Sequence, residues 1–349
     1  MTFQPELLTF LNGEPVTAEN WSTRRQELLA ILSDNIYGRS PAAPATVVGT
    51  VTGQERACCS GHAVLETVEI AFNTEKGRFT FPLRLFVPKK PGKHPLILLL
   101  NFRENVYDQY CPAEEIVDNG FALGVVCYSQ ITADNGDMSD GLAGMYSRQY
   151  SWGKIGMWAW GASRALDYLV TRPEVDAARI TVIGHSRLGK AALWCAAQDE
   201  RVACVCSNDS GCAGAAYERL KGPNAETVAH ITKTFPYWFC ETYAQYAGQP
   251  EAMPFDQHFL LAAVAPRFVS VASASEDAWA DPYAEQLCCV AASPAWKLAG
   301  VPGFVGEERP AAVGESWLDG HIGYFLRDGI HFLGRGDWLQ HMAYIKRHI

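Results

Sequence analysis

The chain has 349 residues, of which 48% are apolar and 19% charged, with a formal net charge of -9, values ordinary for a globular protein able to bury a large core. No segment carries the ~18 or more uninterrupted apolar residues of a membrane helix. No basic cluster is present to release counterions from phosphates, so neither membrane nor nucleic-acid partners are expected.

The 11 cysteines are odd in number, include the adjacent pairs Cys58-Cys59 and Cys288-Cys289, and fall in apolar runs such as Cys204-Val205-Cys206. Reduced core thiols are therefore expected, and no structural zinc site. The first residues lack a basic start, an apolar core and a small-residue cleavage site, which points to the cytoplasm.

In chain order, the spacing of Leu28, Leu29, Ile31, Leu32 and Ile36 predicts one amphipathic helix over Trp21 to Tyr37, lying outside a sheet and stopped by Gly38 and Pro41. Three β-rich stretches follow, Thr46 to Val51, Ala63 to Phe72 and Phe79 to Val87. The last alternates apolar and polar residues, as in an antiparallel strand with one wet face. The character then changes. Pro95 to Leu100 and Phe121 to Cys127 are short continuous apolar runs, the pattern of parallel strands covered on both faces.

A loop rich in Gly, Asp, Asn and Ser runs from Ser129 to about Gly141 and precedes a predicted helix from Trp152 to Val170. Strands are expected at Arg179 to Ile183, Val202 to Cys206, Phe268 to Ala272 and Ile322 to Leu326, and a closing helix at Asp337 to Arg347. Strands alternating with helices predict a single α/β domain: a mainly parallel twisted sheet with antiparallel N-terminal edge strands and helices on both faces, a three-layer sandwich. The stretch 211–266 is too long for a simple connection, and Phe235-Pro236-Tyr237-Trp238-Phe239 suggests a helical insertion near the C-terminal end of the sheet, where such sheets bind ligands.

The segment Ile183-Gly184-His185-Ser186-Arg187-Leu188-Gly189-Lys190 lies between a buried strand and a helix carrying Ala191, Ala192, Leu193 and Trp194. A strand, a sharp turn and a helix form the nucleophile elbow of the α/β-hydrolase fold, and Ser186 occupies the nucleophile's place. The usual pattern has glycine two residues after the serine; here that position is Leu188 and the glycine follows one later. A serine in a structural turn at a helix N-cap is the competing reading.

A serine hydroxyl needs a base, which in this chain order is a histidine after the last strand. His331 meets that condition. His258, at the start of an apolar helix, reads as a core or capping residue, His185 as a shaper of the turn, and His321 precedes the last strand. Two acids compete to orient the base: Asp277, after the strand that usually supplies the third triad member, and Asp209, after the strand before it. Glu276 is the weaker third option.

Gly184-His185-Ser186-Arg187-Leu188-Gly189-Lys190 resembles the G-C-S-R-x-G-K signature of the glucuronoyl esterases, carbohydrate esterase family 15, especially its bacterial branch. The similarity continues through Ser207-Asn208-Asp209-Ser210-Gly211, Phe235 to Phe239, Ala265-Pro266-Arg267, Glu276 to Pro282 and Gly329-Ile330-His331. It implies that Arg187 faces the oxyanion with both backbone N–H and guanidinium, that Lys190 contacts sugar hydroxyls, and that Trp279 lies beside a uronate ring. Glu226 is assigned to the same pocket. Asp209 aligns with a glutamate that is the triad acid in fungal members, whereas some bacterial members use an acid near Asp277, so the choice stays open. His185 replaces the signature cysteine.

The expected activity is hydrolysis of uronate esters of saccharides through an acyl-enzyme, with a small-molecule or oligosaccharide ester as partner and no cofactor or metal. The alternatives are an acetyl-xylan or acetyl-sugar esterase with the same triad and, from a different class, a non-catalytic carbohydrate-binding homologue.

Overall fold

A computed structural model describes residues 3–147, 149, 151–307 and 309–349. Its strands are β1 (Val47–Cys58), β2 (Ala63–Thr74), β3 (Gly77–Pro88), β4 (His94–Asn101), β5 (Ala122–Cys127), β6 (Val175–His185), β7 (Cys204–Asn208), β8 (Phe268–Ala274), β9 (Ser316–Trp317) and β10 (Ile322–Arg327). They form one open ten-stranded sheet in the order β1-β2-β3-β5-β4-β6-β7-β8-β10-β9. The run from β5 to β10 is parallel, whereas β1, β2 and β3 pair as an antiparallel edge and β9 closes the other side antiparallel to β10. This is the expected α/β-hydrolase architecture.

The continuous apolar runs serve two cores at once, because successive side chains of a strand point to opposite faces. On β4, Leu96, Leu98 and Leu100 enter one core while Ile97 and Leu99 enter the other. The larger core packs under helices Lys154–Leu169 and Arg187–Gln198, with Trp158 and Trp194 fully buried. The smaller packs under Ala113–Asp118 and the C-terminal helix Arg335–His348, through Ile116, Trp338 and Tyr344. Each large side chain so buried contributes on the order of 1.5–3 kcal/mol. All eleven cysteines are free and buried, and among the described residues no helix is long and apolar enough to cross a membrane.

Two expectations need correction. The first helix is α-helical only over Trp21–Leu32 and continues as a π-helical turn over Ser33–Tyr37. Outside the sheet, it is tied to the helical layer: Arg25 donates to the carbonyls of Ala197 at 2.6 Å and Ala263 at 2.8 Å. Strand β1 runs seven residues beyond Val51, with register irregularities after Val51 and Glu55. Its side chains are mostly exposed, so no apolar alternation marked it. The segment 211–266 does hold short helical pieces, Val228–Thr234 and His258–Ala262, with 3-10 turns between them.

Candidate active site

Strands β6, β8 and β10 belong to the parallel run, so the loops that follow them emerge at one edge of the sheet. Ser186 sits between β6 and the helix Arg187–Gln198, with φ 57° and ψ -128°. A non-glycine residue in this region is strained, and such strain persists only where neighbours enforce it. Here the neighbours are identifiable. The Ser186 N–H donates to Asn208 O at 2.9 Å on β7, and the Ser186 carbonyl accepts from Gly189 at 2.9 Å and Lys190 at 3.3 Å.

The displaced glycine has a steric cause. A Cβ at Gly184 would lie 2.1 Å from Leu188 O, and one at Gly189 would lie 2.9 Å from Ser210 Cβ and 3.1 Å from Ser207 Oγ. Strand, helix and the loop after β7 therefore close on each other through these two glycines. Leu188 occupies the intervening position with its side chain in the core.

His331 lies on the loop after β10, half-exposed, with Nδ1 hydrogen-bonded to Asp277 Oδ2 at 2.5 Å. The Asp277 side chain is only 4% exposed. Beside them, the ring of His185 lies 4.4 Å from that of His331, which brings the imidazole next to the residue preceding Ser186. Burial, and then His331, push His185 down to about 3, so it is neutral. Its Nδ1 is hydrogen-bonded to Asn208 Oδ1 at 2.7 Å. The other two histidines weighed have backbone partners: His258 with Pro5 O at 3.0 Å and His321 with Pro266 O at 2.7 Å.

Asp209 has a different environment. It is 1% exposed, it has φ 46°, and among the described residues its Oδ1 finds no hydrogen-bond partner. Its Oδ2 lies 3.4 Å from Arg327 Nη2 and 3.8 Å from His185 Nδ1. Burial, followed by the carboxyls of Glu285 and Asp277, pushes it up to about 9 despite Arg327, so it is protonated at neutral pH. A neutral carboxyl offers no anion to an imidazolium. Of the two acids left open, Asp277 meets the histidine and Asp209 does not hydrogen-bond to it. Ligand atoms of His185, Asp209 and His331 do lie within 4.8 Å of one another, the one such potential metal-binding group among the described residues. Glu276 is exposed and joins the histidine loop through its N–H, to Gly329 O at 2.9 Å.

Arg187 is braced by a residue that the sequence did not single out. Its Nη1 is paired with Asp134 Oδ2, whose other oxygen accepts from Trp238 Nε1 at 2.6 Å. The guanidinium carbon lies 4.8 Å from the Trp238 ring centroid and 5.7 Å from those of Phe102 and Phe235. Trp238 and Phe235 stack at 3.8 Å, so the insertion supplies an aromatic wall for the cation. Among the described residues, Arg187 Nε is buried with no acceptor within hydrogen-bond geometry.

Lys190 is not a solvated helix lysine: it is 4% exposed and donates to Ser210 O. Burial lowers it while Glu226 raises it, and the same pairing offsets the upward push of burial on Glu226. The Glu226 N–H donates to Trp279 O at 2.9 Å. Trp279 is 51% exposed and stacks on His230 at 5.3 Å, presenting an open indole at the same edge. The eight residues singled out thus group in two sets, Ser186, Arg187, His331 and Asp277 with Asp209 beneath, and Lys190, Glu226 and Trp279.

A family model described as glucuronyl esterase of fungi matches residues 70–300. A carbohydrate esterase from an unknown prokaryotic organism is 30% identical over 99% of this chain and 89% of its own. The 4-O-methyl-glucuronoyl methylesterase of Schizophyllum commune is 27% identical over 92% of this chain and 81% of its own. Among solved structures, a glucuronoyl esterase from Solibacter usitatus superposes with a TM-score of 0.90 and 34% identity, covering 99% of this chain and 98% of that one. The chain therefore belongs to the glucuronoyl esterases, carbohydrate esterase family 15, a family of carboxylic ester hydrolases.

Proposed function

We propose that the chain hydrolyses esters of 4-O-methyl-glucuronate or glucuronate carried on saccharides. Ser186 Oγ attacks the ester carbonyl carbon while His331 takes the hydroxyl proton, and Asp277 holds the imidazole in one tautomer and stabilises its cation. Arg187 faces the oxygen that becomes negative, where a fixed charge stabilises the tetrahedral species more than a neutral donor does. The imidazolium then protonates the leaving alkoxide. A water, deprotonated by His331, releases the uronic acid and restores Ser186.

The observation that carries this reading is the 2.5 Å bond between His331 and a buried Asp277 beside the strained Ser186 elbow. Lys190, Glu226 and the open face of Trp279 support a polar hexuronate over a small acyl group, and the names of the relatives above agree. The 11 unpaired thiols support a reducing compartment as the site of action, with small imported ester oligosaccharides as substrates; recovery of the native protein from its host's periplasm or medium would contradict that part.

The decisive assay compares initial rates on benzyl glucuronate and on an acetylated sugar, with Ser186→Ala as the blank. Turnover of the glucuronate ester is expected. Turnover of the acetylated sugar alone would replace this reading with the acetyl-sugar esterase, and absence of both, in folded protein, with the non-catalytic homologue.

A further inference from the structure

We infer that Arg327, the last residue of β10, is a positioning residue that sets the height and direction of the His331 imidazole. The inference rests on His331 being the base. The guanidinium reaches over the loop it precedes and donates to three of that loop's carbonyls: Asp328 O at 3.0 Å, Ile330 O at 2.8 Å and Phe332 O. The last two flank His331. Its Nε is fixed in turn by Asp337 Oδ1 at 2.7 Å, and the other Asp337 oxygen accepts from Gly334 N at 2.7 Å, which pins the far end of the same loop.

The planar fork of arginine suits this task, since one side chain satisfies several fixed acceptors at once with little freedom left to lose. The loop would otherwise be half-exposed backbone. A base within hydrogen-bond reach of its proton must be held to a fraction of an ångström, and a misplacement of about 1 Å costs on the order of 100-fold in rate. The same arrangement gives Asp209 a use other than triad acid: it lies beneath the guanidinium as a neutral carboxyl, at the long distance of 3.4 Å. Among the described residues the hydrogen bonds of Arg327 go to the histidine loop, Asp337 and Asp209, and none goes to Lys190, Glu226 or Trp279.

The test uses Arg327→Gln and Arg327→Lys in the full chain, with two readouts: kcat and KM on benzyl glucuronate, and the rate at which a fluorophosphonate labels Ser186. Arg327→Gln is expected to lower kcat and the labelling rate about 100-fold while KM stays within about threefold. Arg327→Lys, which keeps the charge but not the fork, is expected to recover about tenfold of that loss. Folding is checked by circular dichroism and thermal unfolding. A folded Arg327→Gln that labels at the parent rate overturns the inference, as does a rise in KM with kcat unchanged. Should Arg327→Gln not fold, Arg327→Lys decides, and parent-like labelling there overturns it equally. A parent enzyme that the probe does not label refutes the serine esterase reading itself, and this inference falls with it.

Discussion

The loops after β7 and β8 begin alike and end differently. Each places an aspartate just past adjacent parallel strands, at the edge of the sheet that also carries the Ser186 turn and the His331 loop. Asp277 sits under a half-exposed histidine and bonds to it at 2.5 Å. Asp209 is enclosed by other carboxyls, has one oxygen unpartnered, and is pushed up to about 9. Position in the fold qualified both residues as triad acid; solvation and neighbours separate them.

The contrast is sharpest in a pair of substitutions. Asp277→Asn is expected to lower kcat by about 10⁴-fold, because the amide favours the wrong imidazole tautomer and cannot stabilise the cation. Asp209→Asn is expected to cost less than about tenfold, since a neutral group replaces a neutral group. Comparable losses in steady-state kinetics would abolish the distinction. Next in size, Arg187→Met is expected to reduce kcat about 100- to 1,000-fold. Asp134→Asn, which leaves the guanidinium present but unpaired, should cost less than Arg187→Met in the same assay.

Recognition should respond differently from chemistry. Lys190→Met is expected to raise KM about tenfold on the glucuronate ester, with a smaller change in kcat, the effect of losing one charge-assisted contact. A fall in kcat alone would move Lys190 into the catalytic set.

The smallest effect is on stability. A carboxyl held above its ordinary value binds its proton more tightly folded than unfolded, so its contribution is whole below about pH 4 and is lost as pH rises toward about 9. Asp209→Asn removes this term, and the fall of Tm from about pH 5 to 8 should become shallower than in the parent. Glu285, pushed up to about 7 by burial, leaves part of the slope in place. An unchanged slope in a scanning calorimeter would mean that Asp209 is ionised when folded.

Much of the architecture was legible because the parallel strands are buried on both faces and therefore read as uninterrupted apolar runs. The exposed half of β1 had no such pattern, and the π-helical turn after Leu32 keeps the apolar spacing of the helix it extends. At the site, chain order led to Ser186 at the turn after β6 and to His331 on the loop after β10, the two positions on which the proposed mechanism is built. It could not choose between Asp209 and Asp277, because what separates them is the histidine contact of one and the buried carboxyls around the other, which come from a loop and two helices distant in the chain. Asp134 was hidden among the acidic residues of one polar loop. For Lys190 a signal was present: it precedes Ala191, Ala192, Leu193 and Trp194, a run that leaves its side chain little solvent to reach.

The thiols described with the core have a practical consequence. Eleven cysteines are enclosed by the fold, and burial pushes Cys59 and Cys195 up to about 12, so all are shielded and those two are protonated in the native protein. A maleimide or disulfide reagent consequently reads the molecule as nearly silent until it opens. Each opening event then releases a burst of reactive sulfur. In purified form the chain carries its own unfolding clock, one that needs no added tag.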